Sequence, residues 1–186
     1  MPDTGAPWNI PYVAGTDLVS DWPTDSQTLA EAIADGLDEA SLIKQVVQTV
    51  KTDYFTTTST SLVDVTNFSV SITPTSSASK VLVIANYNVS STSSIALTQL
   101  VRDSTNIFLG TETATYNGTS LWNVGDGVSR LISSTTNVFL DSPATTSATT
   151  YKLQMRVNSG TGVFNRAGNA ADVSVASSIT AIEVAA

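Results

Sequence analysis

Cysteine and histidine are both absent from this 186-residue chain. Without cysteine there is no disulfide framework and no thiolate metal site. Without histidine, the commonest general base and the commonest metal ligand are gone. Ser–His–Asp and Cys–His nucleophilic sites are therefore excluded. Basic residues are missing from the first 43 positions, which hold eight acids (Asp3, Asp17, Asp21, Asp25, Glu31, Asp35, Asp38 and Glu39). The remaining eight acids and all eight bases lie beyond, so the net charge of −8 belongs to the first quarter of the chain. An acidic chain with no basic patch is not expected to bind nucleic acid. No run of 18 apolar residues occurs, so no membrane insertion is expected. A basic stretch followed by an apolar one is missing at the N-terminus, so a secretory signal is not expected either.

Charged residues make up only 13%, and 25 serines and 28 threonines take their place. Threonine suits a pleated, half-buried surface and serine suits turns. Residues 1–23 differ from the rest. They hold four of the six prolines together with Trp8, Tyr12 and Trp22, and proline forces extended geometry on the residue before it. This predicts an extended segment whose large apolar side chains need cover, either on the chain's own body or on another protein. Residues 24–42 contain the one helical candidate and a linker. Thr24 and Gln27 fit a capping box, and Leu29, Ile33 and Leu37 recur at four-residue spacing. A helix of that length is marginal alone, so its stripe packs either on the body or against copies of itself.

From residue 43 to 186 the period is two. Phe68, Val70 and Ile72 alternate with polar neighbours, as do Tyr151, Leu153, Met155 and Val157, which marks half-buried strands. Val81 to Ile84 are apolar on both faces, as in a strand that lies centrally or between subunits. Further strands are expected near 43–51, 61–65, 95–103, 106–109, 129–133, 136–140 and 172–184, with turn clusters between them. The fold class is all-β: an antiparallel, jelly-roll-like sandwich preceded by an extended anchor and one short helix. With only four lysines to guard sheet edges, assembly into an oligomer is favoured.

No catalytic residue, metal site or cofactor is expected. Glu112, Asp126, Asp141 and Glu183 are the body's candidates for a carboxylate pair, but nothing in their spacing joins any two, so solvated or ion-paired roles are expected. Gly125-Asp126-Gly127 lacks the Asp-rich calcium-loop pattern. Tyr116, Asn117, Trp122, Asn123 and Asp126 combine aromatics, amides and an acid in a loop-rich stretch, the mixture a glycan site uses. The alternative is a long loop that tucks Leu121 and Trp122 into the core.

Several stretches resemble small structural appendage proteins of tailed bacteriophages. Ile43-Lys-Gln-Val-Val-Gln-Thr-Val-Lys-Thr-Asp, Thr57-Thr-Ser-Thr-Ser-Leu-Val-Asp-Val-Thr and Val70-Ser-Ile-Thr-Pro look like the opening of a β-domain of fibre-like and minor virion proteins. Lys80-Val-Leu-Val-Ile-Ala, Gln99-Leu-Val-Arg-Asp-Ser-Thr, Thr150-Tyr-Lys-Leu-Gln-Met-Arg and Ser178-Ile-Thr-Ala-Ile-Glu-Val continue the likeness. Pro7-Trp-Asn-Ile-Pro-Tyr, Thr16-Asp-Leu-Val and Leu29-Ala-Glu-Ala-Ile-Ala-Asp-Gly-Leu look like segments that mount an appendage on a particle. The resemblance implies a jelly-roll head similar to C1q and tumour-necrosis-factor folds, commonly trimeric, at the virion surface. It also implies that the leader plugs into other virion proteins, with Trp8, Asn9, Ile10, Pro11, Tyr12, Leu18 and Trp22 as the anchor. Leu29, Ile33 and Leu37 would line a three-chain bundle, and a host-surface glycan is a candidate ligand. A capsid decoration protein without a receptor role is the alternative reading.

Overall fold

The computed structural model describes residues 22–92, 95–110, 117–123, 131–168 and 170–186. Two compact units divide the chain, Met1–Leu42 and Ile43–Ala186.

In the first unit, helix α1 runs from Trp22 to Ala40. It starts two residues before the expected capping box. Pro23 explains this, because its fixed φ and missing N–H suit the first helical turn. The box itself is replaced by other pairings: Gln27 Nε2 donates to Glu31 at 2.8 Å, and the Thr28 hydroxyl donates to the Thr24 carbonyl at 2.9 Å. Trp22 therefore heads the helix and is not part of an extended segment. The other proposed anchor residues, Trp8 to Leu18, lie outside the described residues. Along the stripe, Leu29 is half-buried while Ile33 and Leu37 are 43% and 70% exposed.

The second unit is an antiparallel sandwich. Its strands are β1 (Ile43–Lys51), β2 (Phe55–Thr57), β3 (Val63–Ile72), β4 (Lys80–Ser91), β5 (Ile95–Arg102), β6 (Thr105–Asn106) and β7 (Ser120–Asn123). They continue with β8 (Ser133–Asp141), β9 (Thr149–Val157), β10 (Gly162–Phe164), β11 (Arg166–Ala167), β12 (Ala170–Ser174) and β13 (Ser177–Val184). The first sheet has the row β1–β13–β4–β8, with β10 paired to the end of β4 and β2 paired to β10. The second has the row β3–β9–β5–β7, with β6 paired to the end of β5. The chain crosses between the sheets from β2 to β3, β3 to β4, β4 to β5, β7 to β8, β8 to β9 and β9 to β10, the alternation of a jelly roll.

Alternation builds the core. Val81, Val83, Ala85, Tyr87 and Val89 of β4 meet Tyr151, Leu153, Met155 and Val157 of β9 and Phe68, Val70 and Ile72 of β3. The rings of Phe68, Tyr87 and Phe164 cluster with centroids 5.0 to 6.3 Å apart, a spacing favourable for aromatic pairs. Several expected boundaries move. The two expected strands around 61–73 are one strand, β3, bulged at Asn67 with φ 58°. The pair expected at 129–133 and 136–140 is the single strand β8. Residues 106–109 give only the two-residue β6, because Phe108 adopts φ 56° and leaves the ladder. The final strand splits into β12 and β13.

Candidate assembly face

The outer face of the first sheet is built from the residues of β1, β13, β4 and β8 that point away from the core. Strand register places them in rows. Val46 pairs with Ile182, Ile182 with Leu82, and Leu82 with Leu140. The next row is Gln48, Thr180, Ile84 and Val138, and the third is Val50, Ser178, Asn86 and Thr136. None of these twelve residues is charged, and the row beyond Leu82 adds one exposed lysine, Lys80, whose Nζ donates to the Ser142 hydroxyl at 2.8 Å. Val46, Val50, Val138 and Leu140 are 58%, 56%, 53% and 51% exposed, and Leu82, Ile84 and Ile182 are half-buried.

The polar members of this face satisfy one another. Gln48 Nε2 donates to the Thr180 hydroxyl at 2.8 Å, and Asn86 Nδ2 donates to the Thr136 hydroxyl at 2.8 Å. Cross-strand pairing of this kind lowers what these groups lose when water leaves, because a buried polar group is costly only when unpaired. Four strands at about 4.8 Å spacing and three rows about 6.6 Å apart give a projected area of roughly 400 Å². That is at the scale where exposed apolar patches mark contact sites.

The second sheet is different outside. There Asp64 accepts from Lys152 Nζ at 2.8 Å and from Gln154 Nε2 at 2.7 Å, and Ser71 pairs with Thr150 at 2.8 Å. The hydrogen bond from Lys152, with help from Gln154, holds the Asp64 carboxyl below its usual pKa. A charged, hydrogen-bonded face is at home in water. One sandwich thus carries one wet outer face and one dry one.

The carboxylate candidates also fall into place. Asp141 and Glu183 both pair with Val81, from opposite sides of β4. Register therefore brings together two acids that sequence spacing left apart, about two strand spacings or ~9.6 Å from each other. Both are buried, with Val81 buried between them. Asp141 accepts two bonds from Arg102 Nη1 at 2.9 and 2.8 Å and one from the Tyr151 hydroxyl at 2.7 Å. Burial, then the Asp141 bond, pushes the Tyr151 phenol well up. Glu183 accepts from Gln45 Nε2 at 2.6 Å and from the amide and hydroxyl of Thr75, both at 2.7 Å. Its burial raises the pKa, but donation from Gln45, Thr75 and Ser79 outweighs that and brings it down to about 2. All four carboxylate oxygens are engaged in holding the fold. These acids clasp strands and loops, and their geometry is not that of a general acid–base pair.

The expected glycan stretch is partly a strand. Trp122 and Asn123 lie in β7, where their backbones pair with Ala96 and Ile95. Asn117 is exposed just ahead of β7, and Leu121 is exposed, not tucked into the core. Tyr116 and Asp126 lie outside the described residues. Of the assembly-face residues, Leu82 and Ile84 are marked in the sequence by the doubly apolar Val81 to Ile84, and Val46-Val47 and Val138-Phe139-Leu140 carry the same signal. Consecutive apolar residues in a strand put one side chain in the core and the next outside.

No protein-family model matches the chain, and no curated protein matches it. Among solved structures, it is similar to a chain in a structure of infectious bursal disease virus, Gx strain, at 13% identity and a TM-score of 0.38. The match covers 76% of this chain and 38% of that one. A likeness of this degree assigns neither a family nor a function.

Proposed function

We propose that this chain is a structural protein of a bacteriophage particle, a short fibre-like appendage. Its jelly-roll heads associate with one another, commonly as a trimer, through the outer face of the first sheet. The leader before the helix mounts it on the particle, and the second sheet and the loops face outward for host-surface attachment. The observation that carries this reading is the uncharged, apolar outer face of an otherwise well-formed sandwich. A second copy of the chain is the occupant that fits it. The unit from Ile43 onward has as many bases as acids, so copies do not repel through their heads, and the three rows of the face have no charge with which to select an oppositely charged partner. Its projected area, roughly 400 Å², is about half of the ~800 Å² per partner that a standard interface buries. The order of the phage-like stretches along residues 43–184 and the separate acidic leader support the placement on a virion.

The test is light scattering on the purified full chain and on Leu82→Glu/Ile84→Glu. These two sites lie centrally on the outer face, where a carboxylate meets solvent in the monomer and a neighbour in the oligomer. The wild type is expected to run as a trimer, and the double variant as a folded monomer with an unchanged circular dichroism spectrum. A wild type that is monomeric at 100 μM sinks the reading.

A further inference from the structure

We infer that the turn joining β1 to β2, residues Asp53 and Tyr54, is a saccharide-binding site. The turn lies at the end of β1 far from Ile43, where the chain enters the sandwich. Tyr54 is 55% exposed, and the Arg166 guanidinium sits 4.2 Å from its ring centroid. One ring face is therefore covered by a cation, while more than half of the residue's surface stays exposed. Asp53 stands next to it with its side chain 59% exposed and one carboxylate oxygen held by Lys51 Nζ at 2.8 Å.

What lies beneath this turn is unusual for a surface connection. Asn165, fully buried and at φ 63°, donates from Nδ2 to the carbonyls of Lys51 at 2.8 Å and Asp53 at 3.1 Å. The Ser177 hydroxyl donates in turn to Asn165 Oδ1, and Ser177 Oγ accepts the Asn88 backbone N–H at 3.1 Å. The Lys51 side chain is itself fully buried, and Arg166 Nε is buried without a hydrogen-bond partner. A buried lysine, a left-handed asparagine and an orphaned guanidinium nitrogen are each unfavourable alone. Stitching β1 to β2 accounts for Asn165, but it leaves the Tyr54–Arg166 stack on the outside unexplained. Presentation of a rigid ring and a rigid acid side by side accounts for both, since a site held by a supporting layer loses little entropy on binding.

The chemistry selects the ligand class. An aromatic face stacks on the C–H face of a pyranose, and an adjacent carboxylate accepts from its hydroxyls. A cationic ligand is disfavoured, because the ring's quadrupole is already engaged by Arg166. The inference extends the attachment role proposed above from a general surface to a named turn, and it rests on that reading for its biological meaning.

The experiment is saturation-transfer NMR on the full chain with a panel of uncharged methyl glycosides and disaccharides of glucose, galactose and N-acetylglucosamine at millimolar concentration. At least one sugar should receive saturation on its ring protons. Tyr54→Ala should weaken that binding tenfold or more, and Tyr54→Phe should stay within twofold. Asp53→Asn should weaken it severalfold, with circular dichroism checking that the fold survives loss of the carboxylate that pairs with buried Lys51. No transfer to any sugar, or Tyr54→Ala equal to wild type, overturns the inference. Light scattering on the same samples separates the two ideas: sugar binding by a monomeric chain leaves this site standing and removes the assembly, and a trimer without sugar binding does the reverse.

Discussion

Single residues show where this sandwich spends polarity inside itself. Glu183 is held by neutral donors from Gln45, Thr75 and Ser79, and its pKa falls to about 2. A group whose folded pKa is lowered contributes stability that is fully present above its unfolded value, near 4.5, and is lost as pH falls toward 2. Glu183→Gln replaces one acceptor oxygen with an NH₂ that faces donors. It should cost on the order of 2 kcal/mol at pH 7, measured by urea unfolding followed by circular dichroism. The difference from wild type should shrink between pH 4.5 and 2, where wild type loses the charge. A gap that stays constant over that range would show that Glu183 is not the group titrating. The Tyr151–Asp141–Arg102 cluster makes a parallel case at the other side of β4. There Tyr151→Phe removes one bond to a buried carboxylate that keeps its two from Arg102, so a smaller loss of about 1 kcal/mol is expected. The same unfolding assay reads it, and a loss as large as that of Glu183→Gln would show that Arg102 does not hold Asp141 unaided.

At the scale of elements, the question is how each sheet edge is managed. β3 is broken by its bulge at Asn67, and β7 is only four residues long. β1 carries a register shift between Ile43 and Gln45. β8 has no such device: it pairs with β4 without interruption from Ser133 to Asp141 and contains no Lys, Arg, Pro or Gly. Val138 and Leu140 lie on this edge strand, so the unguarded edge and the apolar face are one surface. The bulge is testable by itself. Asn tolerates a left-handed conformation that a β-branched residue does not, so Asn67→Val should lose about 1–3 kcal/mol, while Asn67→Gly should stay close to wild type in the same thermal melt. Much of this level was legible beforehand. Alternation at Phe68 to Ile72 and at Tyr151 to Val157 marked β3 and β9, and the doubly apolar Val81 to Ile84 marked an interior strand. Three things were not legible. Asn67 reads as an ordinary polar position, so the bulge that fuses two expected strands is invisible without φ. Pairing between distant strands is not written in local spacing, so the row shared by Glu183, Val81 and Asp141 could not be read. Ser120 to Asn123 has the composition of a loop, whereas an antiparallel partner in β5 draws it into a sheet.

For the whole molecule the decisive quantity is where charge sits. The unit up to Leu42 carries −8 and the unit from Ile43 carries none. Among the described residues, every member of the buried core lies between Val65 and Ala181, so a chain trimmed to residues 43–186 should unfold cooperatively with a midpoint close to that of the full chain. Its solubility near neutral pH should drop, because a protein without net charge has little to oppose association. Salt then distinguishes what drives assembly of the full chain. If copies meet through the apolar face, the ionic term is only the mutual repulsion of their acidic leaders. Screening becomes effective within ~10 Å at 0.1 M salt, so raising salt from 20 to 500 mM should hold or increase the weight-average mass in sedimentation equilibrium. An interface made of ion pairs behaves oppositely and loosens as salt rises. A mass that falls toward the monomer at 500 mM would therefore move the contact off the first sheet and onto the charged surface of the second.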